Sequence, residues 1–279
     1  MIKTIVSIGL FLFVTSCLQA QNHFTEYVNP FLGTATLWDS SDIGYKPTHR
    51  TWGAEVFPGS SLPNAMVQLT PVTQFHSGSG YQYEDTVIFG FAHTSKGHWN
   101  LCHIPLLPAT GSISPDDYKS AYSHKNESAH PGYYQVFLER YSVNAELTST
   151  LRCAFHKYTF RDGQGKKLIA DLSISNERVR SWEIDQDGEK IFKGFQQTGE
   201  KMYFYATTNI KIRNIESLKK DSKEISVVSF ADSPDPLEIK IGFSFVSIHN
   251  AKENLDKEIP GKSLSQVRKE ATDKWDTLF

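Results

Sequence analysis

Three cysteines in 279 residues are too few for a disulfide scaffold. Neither charge dominates. Twenty-nine Lys and Arg against thirty-one Asp and Glu give a net charge of -2, which leaves no broad cationic field for nucleic acid or an anionic membrane. No apolar run approaches the roughly 20 residues needed to cross a bilayer. Absent too are a Gly-x-Ser-x-Gly nucleophile elbow, a His-Glu-x-x-His zinc motif, a phosphate-binding glycine loop and an EF-hand loop. There are no internal repeats and no low-complexity segment. What is present is ordinary globular chemistry, 39% apolar and 22% charged, in one large or two small domains. Aromatics reach 13%, as expected of sheet-rich proteins and of sugar-binding surfaces alike.

Residues 1–20 read as an address rather than as fold. Lys3 supplies a positive start, and Ile5 to Val14 form a short apolar stretch. Val14-Thr15-Ser16-Cys17 then resembles a bacterial lipobox, which would make Cys17 a lipid anchor on the periplasmic side and the only link to a membrane. Cleavage after Leu18-Gln19-Ala20 is the rival reading, although Leu is a poor small-residue match there. Cys102 and Cys153 remain, either as a disulfide or as two buried free thiols.

From Gln21 to about Gly111 the chain is rich in turn signals, such as Phe57-Pro58-Gly59 and Ser77-Gly78-Ser79-Gly80, with short strand-like runs at Met66–Thr70 and Thr86–Phe91. From Tyr133 to Ile248 strict alternation takes over. Val143, Ala145, Leu147, Leu151, Cys153 and Phe155 fall on one face, and Leu237, Ile239, Ile241, Phe243 and Phe245 repeat the pattern. Further runs follow at Lys167–Leu172, Arg178–Ile184, Met202–Ala206 and Glu224–Phe230, with Lys219-Lys220 as a solvated hairpin tip. The pattern predicts an all-β fold, an antiparallel β-sandwich over 21–249. A helical segment over 250–279 follows it. Asn250–Glu258 forms a short helix, and Ser263 with Gln266 makes a capping box for a second, with Leu264, Val267, Ala271, Trp275 and Leu278 on one face. That pattern breaks off at Phe279 without a stop signal, so continuation into a further domain is expected, with the second helix frayed and Trp275 and Leu278 short of packing partners.

The most unusual segment is His93 to His103, with His93, Lys96, His98, Trp99, Asn100, Cys102 and His103. Its spacing matches no structural zinc pattern, so no metal site is expected. Two readings stay open. Trp99 stacks on a sugar ring while His, Lys and Asn side chains bind hydroxyls, or the histidines are satisfied loop residues around a buried Trp. The carboxylates at Asp39 with Asp42, Glu84-Asp85 and Asp116-Asp117 read as turn-formers. Asn126-Glu127-Ser128 reads as a sequon without meaning in a bacterial lipoprotein. No residue is singled out as catalytic.

Several segments in order resemble the N-terminal domain of glycoside hydrolase family 92, bacterial exo-acting α-mannosidases. They include Tyr27-Val28-Asn29-Pro30-Phe31-Leu32-Gly33-Thr34, Leu62-Pro63-Asn64-Ala65-Met66, Gly90-Phe91-Ala92-His93-Thr94, Tyr122-Ser123-His124-Lys125-Asn126-Glu127 and Pro131-Gly132-Tyr133-Tyr134. The resemblance implies a sandwich joined by a helical linker to an (α/α)6 barrel that holds the general acid, the general base and calcium. By it, this chain is expected to be the cleft-shaping half of an inverting mannosidase acting on terminal α-mannosides, α-1,2-linked ones first. It would be inactive alone, with the 263–279 helix meeting the absent barrel and no cofactor of its own. Trp52, His93, Lys96, His98 and Trp99 are then the expected sugar contacts, and α-mannoside glycans the partners. Thr51-Trp52-Gly53-Ala54-Glu55 and Ser95-Lys96-Gly97-His98-Trp99 put bulk and charge where the family commonly has glycines. A free-standing glycan-binding envelope lipoprotein is the alternative.

Overall fold

The computed structural model describes residues 24–35, 56–96, 99–162 and 165–278. Two antiparallel sheets enclose one apolar core. The seven-stranded sheet runs, in spatial order, through Ser60–Ser61, Gln68–Val72, Gly90–Ala92, Leu106–Ala109, Lys167–Ala170, Lys223–Phe230 and Ile212–Lys220. The eight-stranded sheet runs through Ser181–Gln186, Ile191–Gln197, Lys201–Thr208, Leu237–Ser244, Cys153–Phe160, Val143–Ser149, Tyr133–Leu138 and Glu127–His130. Leu106, Leu168 and Val227 from the first sheet meet Val136, Leu147 and Ile241 from the second in a single buried cluster. The fold is the expected all-β sandwich.

Alternation explains most of this core. Val143, Ala145 and Leu147 point inward, and so do Leu237, Ile239, Ile241 and Phe243. Cys153 and Phe155 do not share that face. The chain reverses at Thr150 to Arg152, where the Thr150 N–H donates to the Cys153 carbonyl at 2.9 Å. Thr148 then pairs with Phe155, and Leu147 with His156. Cys153 and Phe155 therefore emerge on the outer face, while Ala154, His156 and Tyr158 turn inward. Phe245 lies one residue beyond its strand and is exposed. The hairpin tip expected at Lys219-Lys220 falls one residue later, at Asp221, and Lys220 instead pairs with Asp116.

Helices α1 (Ile248–Glu258) and α2 (Leu264–Asp276) cover the outer face that Cys153 and Phe155 join. Ser247 caps α1, and the Ser263–Gln266 capping box of α2 is fully formed. Ala251, Leu255, Leu264 and Val267 bury themselves against Tyr133, Phe155 and Tyr205. Gly242 makes the close approach possible, since a Cβ there would stand 2.1 Å from the Ala251 carbonyl oxygen. The second helix holds its form through Asp276. Its Trp275 is half-buried and donates its indole N–H to the Ser61 carbonyl at 2.7 Å, so Trp275 has the partner that the sequence pattern denied it. Leu278 stays exposed. Tertiary packing here outweighs the marginal stability of a short isolated helix.

Candidate functional site

The segment after strand Gly90–Ala92 is a small hairpin. Ser95 pairs with Asn100 and Lys96 with Trp99, and 97–98 lie outside the described residues. Its base is held by side-chain hydrogen bonds as well as by apolar packing. Asn100 donates to the Ser79 carbonyl at 3.0 Å and accepts from the Cys102 N–H at 2.7 Å. Asn176 donates to the Asn100 carbonyl at 2.6 Å, and Gln196 accepts from the Ile104 N–H at 2.8 Å. These ties hold Cys102 and Ile104 at φ 53° and 52°. Such a conformation is costly for a β-branched residue and persists only where surrounding bonds fix it.

His93 is one of those bonds and not a sugar contact. It shares a face with Phe91 and lies in the sandwich core, fully buried. Its Nδ1 lies 2.9 Å from the Ile104 carbonyl, and its Nε2 2.9 Å from Nε2 of His156, whose Nδ1 meets the Tyr158 hydroxyl at 2.7 Å. Burial holds the His93 pKa down to about 3, and burial together with the His93 ring keeps His156 well below its ordinary range. Neither ring reaches a ligand in this chain. The expectation for His93 is therefore corrected: period-two alternation from Phe91 aims it inward.

His103 sits on the other side of the hairpin base. Its Nε2 donates to the Thr198 hydroxyl at 3.1 Å, and Thr198 donates to Glu177 at 2.8 Å. His103 Nδ1 is buried without a described partner. Burial lowers its pKa, offset in part by Glu177. Lys96 and Trp99 enter the hairpin through their paired backbones. Trp52, His98 and Cys17 lie outside the described residues. Cys102 and Cys153 are separate buried thiols, one beside Val72 and Ala92, the other beneath the helices. The disulfide reading falls, because the two lie in different clusters.

Glu127 is the feature the sequence concealed. Its side chain is 1% exposed and accepts from the Tyr134 hydroxyl at 2.5 Å, the Tyr81 hydroxyl at 3.1 Å and His124 Nδ1 at 2.6 Å. His124 also donates through Nε2 to the Tyr83 carbonyl at 2.6 Å and stacks on the Tyr83 ring at 4.0 Å. A buried carboxylate so fully occupied is an anchor for the segment 81–83. Among the described residues, no cluster of three His, Cys, Asp or Glu could hold a metal ion. The arrangement is suited to holding a loop in place.

Residues 27–250 match the model of the glycosyl hydrolase family 92 N-terminal domain. Comparison with curated proteins yields no match. The fold superposes on a family GH92 alpha-mannosidase of Bacteroides thetaiotaomicron with a TM-score of 0.77 at 24% identity, over 91% of this chain and 38% of that one. A family GH92 inverting mannosidase of the same organism gives a TM-score of 0.76 at 19% identity, over 91% and 36%. These likenesses speak to the fold. The chain spans well under half the length of the structures it matches.

Proposed function

Since the chain belongs to the glycosyl hydrolase family 92 N-terminal domain family, we propose that it is the sandwich domain that shapes the sugar cleft of an α-mannosidase. The match over 27–250 carries this reading, and the side-chain ties beneath the 95–100 hairpin support it. A cleft wall must be held in place before substrate arrives, because a misplaced contact costs rate. Inversion at a glycosidic carbon needs one carboxylic acid and one carboxylate about 6.5–9.5 Å apart. Glu127, Asn100, Asn176 and Gln196 are instead occupied in fixing loops. In this reading the two carboxylates and calcium belong to a helical barrel domain, the substrate is a terminal α-mannoside, α-1,2-linked ones first, and Trp99, Lys96, His98 and Trp52 face it. No group of His, Cys, Asp or Glu among the described residues fits a metal ion.

Export as a lipoprotein anchored through Cys17 on the periplasmic side completes the proposal. No helix among the described residues is long and apolar enough to cross a membrane. Mass spectrometry of the mature N-terminus checks it, and a free N-terminus at Gln21 would overturn it. The decisive assay is mannose release from α-mannosyl substrates with added calcium. Residues 21–279 alone are expected to give none. A protein carrying both domains turns over, and Trp99→Ala lowers its kcat/KM by about two- to tenfold through lost stacking. Turnover by 21–279 alone would sink the division of labour. Glycan binding with no activity in the two-domain protein would favour the free-standing binding lipoprotein.

A further inference from the structure

The sandwich is open along one side, where two edge strands run past each other: Ser181–Gln186 of the eight-stranded sheet and Ile212–Lys220 of the seven-stranded sheet. Trp182, Ile184 and Ile215 lie in this opening, half-buried against the core. Three hollows follow one another here. The first, 460 Å³, is bounded by Trp182, Ile184, Arg213 and Glu224. The second, 630 Å³, shares Trp182, Ile184 and Glu224 with it and adds Arg180. The third, 600 Å³, shares Val179 and Arg180 with the second and ends at Glu177 and Thr198. Glu177 and Thr198 are the residues bonded to His103 at the hairpin base. One groove therefore leads from the residues that bond His103 past the length of a six-residue strand, about 20 Å.

Its chemistry narrows the occupant. The Trp182 indole N–H has no acceptor among the described residues, whereas Trp275 spends its own on Ser61. The Trp182 ring is fixed by packing on the core, so it offers a prepared face and a free donor. Arg180 has no carboxylate partner among the described residues, while Arg213 is paired with Asp232 at 2.6 Å. Glu183, Asp185, Glu216 and Glu224 line the same walls, so a polyanion would meet repulsion. An added peptide strand is opposed as well. Glu183 and Asp185 project from one edge, and a bulge between Ile212 and Asn214 distorts the other. A neutral chain rich in hydroxyls, with apolar ring faces, satisfies both the aromatic platform and the mixed polar walls.

We infer that the groove from Glu177 past Arg180 to Trp182 binds the distal residues of a neutral oligosaccharide whose terminal sugar lies beyond Glu177, towards His103. This rests on the mannosidase-domain reading for the direction of the chain, but not for the binding itself. The test uses the 21–279 protein, a long neutral α-mannosyl oligosaccharide, and methyl α-mannoside as the short comparator. Calorimetry should show saturable binding of the long sugar and an advantage over the short one. Trp182→Ala should weaken the long sugar by about five- to tenfold and leave the short one unchanged. Trp182→Phe, which keeps a packed ring, should lose less. In the unmodified protein the Trp182 indole N–H resonance should move on titration, a readout independent of any folding defect. Absence of saturable binding, an unmoved indole resonance, or equal affinity of Trp182→Ala would overturn the groove. Binding abolished by Trp99→Ala and untouched by Trp182→Ala would overturn it while leaving the cleft-shaping role in place.

Discussion

The Nε2 atoms of His93 and His156 face each other at 2.9 Å inside the core, so only one of them carries hydrogen. The Ile104 carbonyl accepts from His93 Nδ1, which leaves His93 Nε2 as a bare acceptor. His156 must then donate from Nε2 and accept from the Tyr158 hydroxyl at Nδ1. A single arrangement of protons satisfies every atom. A further proton would set two N–H groups against each other where no water can intervene.

Acid should therefore loosen the sandwich. With the folded His93 pKa at about 3, against an ordinary 6.5, the unfolded chain binds protons the folded chain refuses. The stabilisation is complete above about pH 6.5 and is lost progressively as pH falls toward 3. The slope is about 1.4 kcal/mol per pH unit for each buried ring. Urea midpoints measured between neutral pH and about pH 5 should fall steeply. A flat profile would contradict the proton arrangement.

Glu127→Ala should cost about 3–5 kcal/mol, because three buried or half-buried groups lose their hydrogen-bond partner. Glu127→Gln should recover part of this, since its amide oxygen still accepts from the tyrosines. Equal losses in chemical denaturation would mean that side-chain volume matters there and hydrogen bonding does not.

Gly242→Ala should lower stability by about 1–3 kcal/mol, as α1 must shift away from the new methyl group. Gly199→Ala, with nothing within 4 Å of its added atom, should be near neutral. Thermal melting of the two variants side by side reads the contrast.

Cys102 and Cys153 should resist a thiol reagent in the native protein and both react after unfolding. Burial raises each thiol pKa and blocks access as well. Rapid native labelling of Cys102 would show that the hairpin base opens on its own.

Where one physical signal decided the structure, the sequence was readable. Val143, Ala145 and Leu147 announce an inward face, and Ser263 with Gln266 announces a helix start. Where two signals competed, it was not. Phe155 keeps its apolar character although it points outward, because helices cover that face; periodicity cannot tell a second apolar layer from the first. His93 alternates with Phe91 and so belonged to the core, but its chemistry suggested a binding loop. The strands at 60–61, 87–88 and 120–121 are too short for any period to show. Glu127 gathers Tyr81 from 46 residues away, and no local pattern records such a meeting. The Trp182 groove arises where two edge strands happen to converge, which only the sheet order reveals.

That sheet order also shapes how the molecule comes into being. Among the described residues, strand Leu237–Ser244 comes last in sequence, yet it stands in the middle of its sheet, between Lys201–Thr208 and Cys153–Phe160. Until it emerges from the ribosome, the eight-stranded sheet exists as two unjoined halves with facing edges bare. Those edges are templates for pairing with other chains. The final closure joins distant parts of the sequence, so it is slow by topology. A nascent chain of this design benefits from staying unfolded until it is whole.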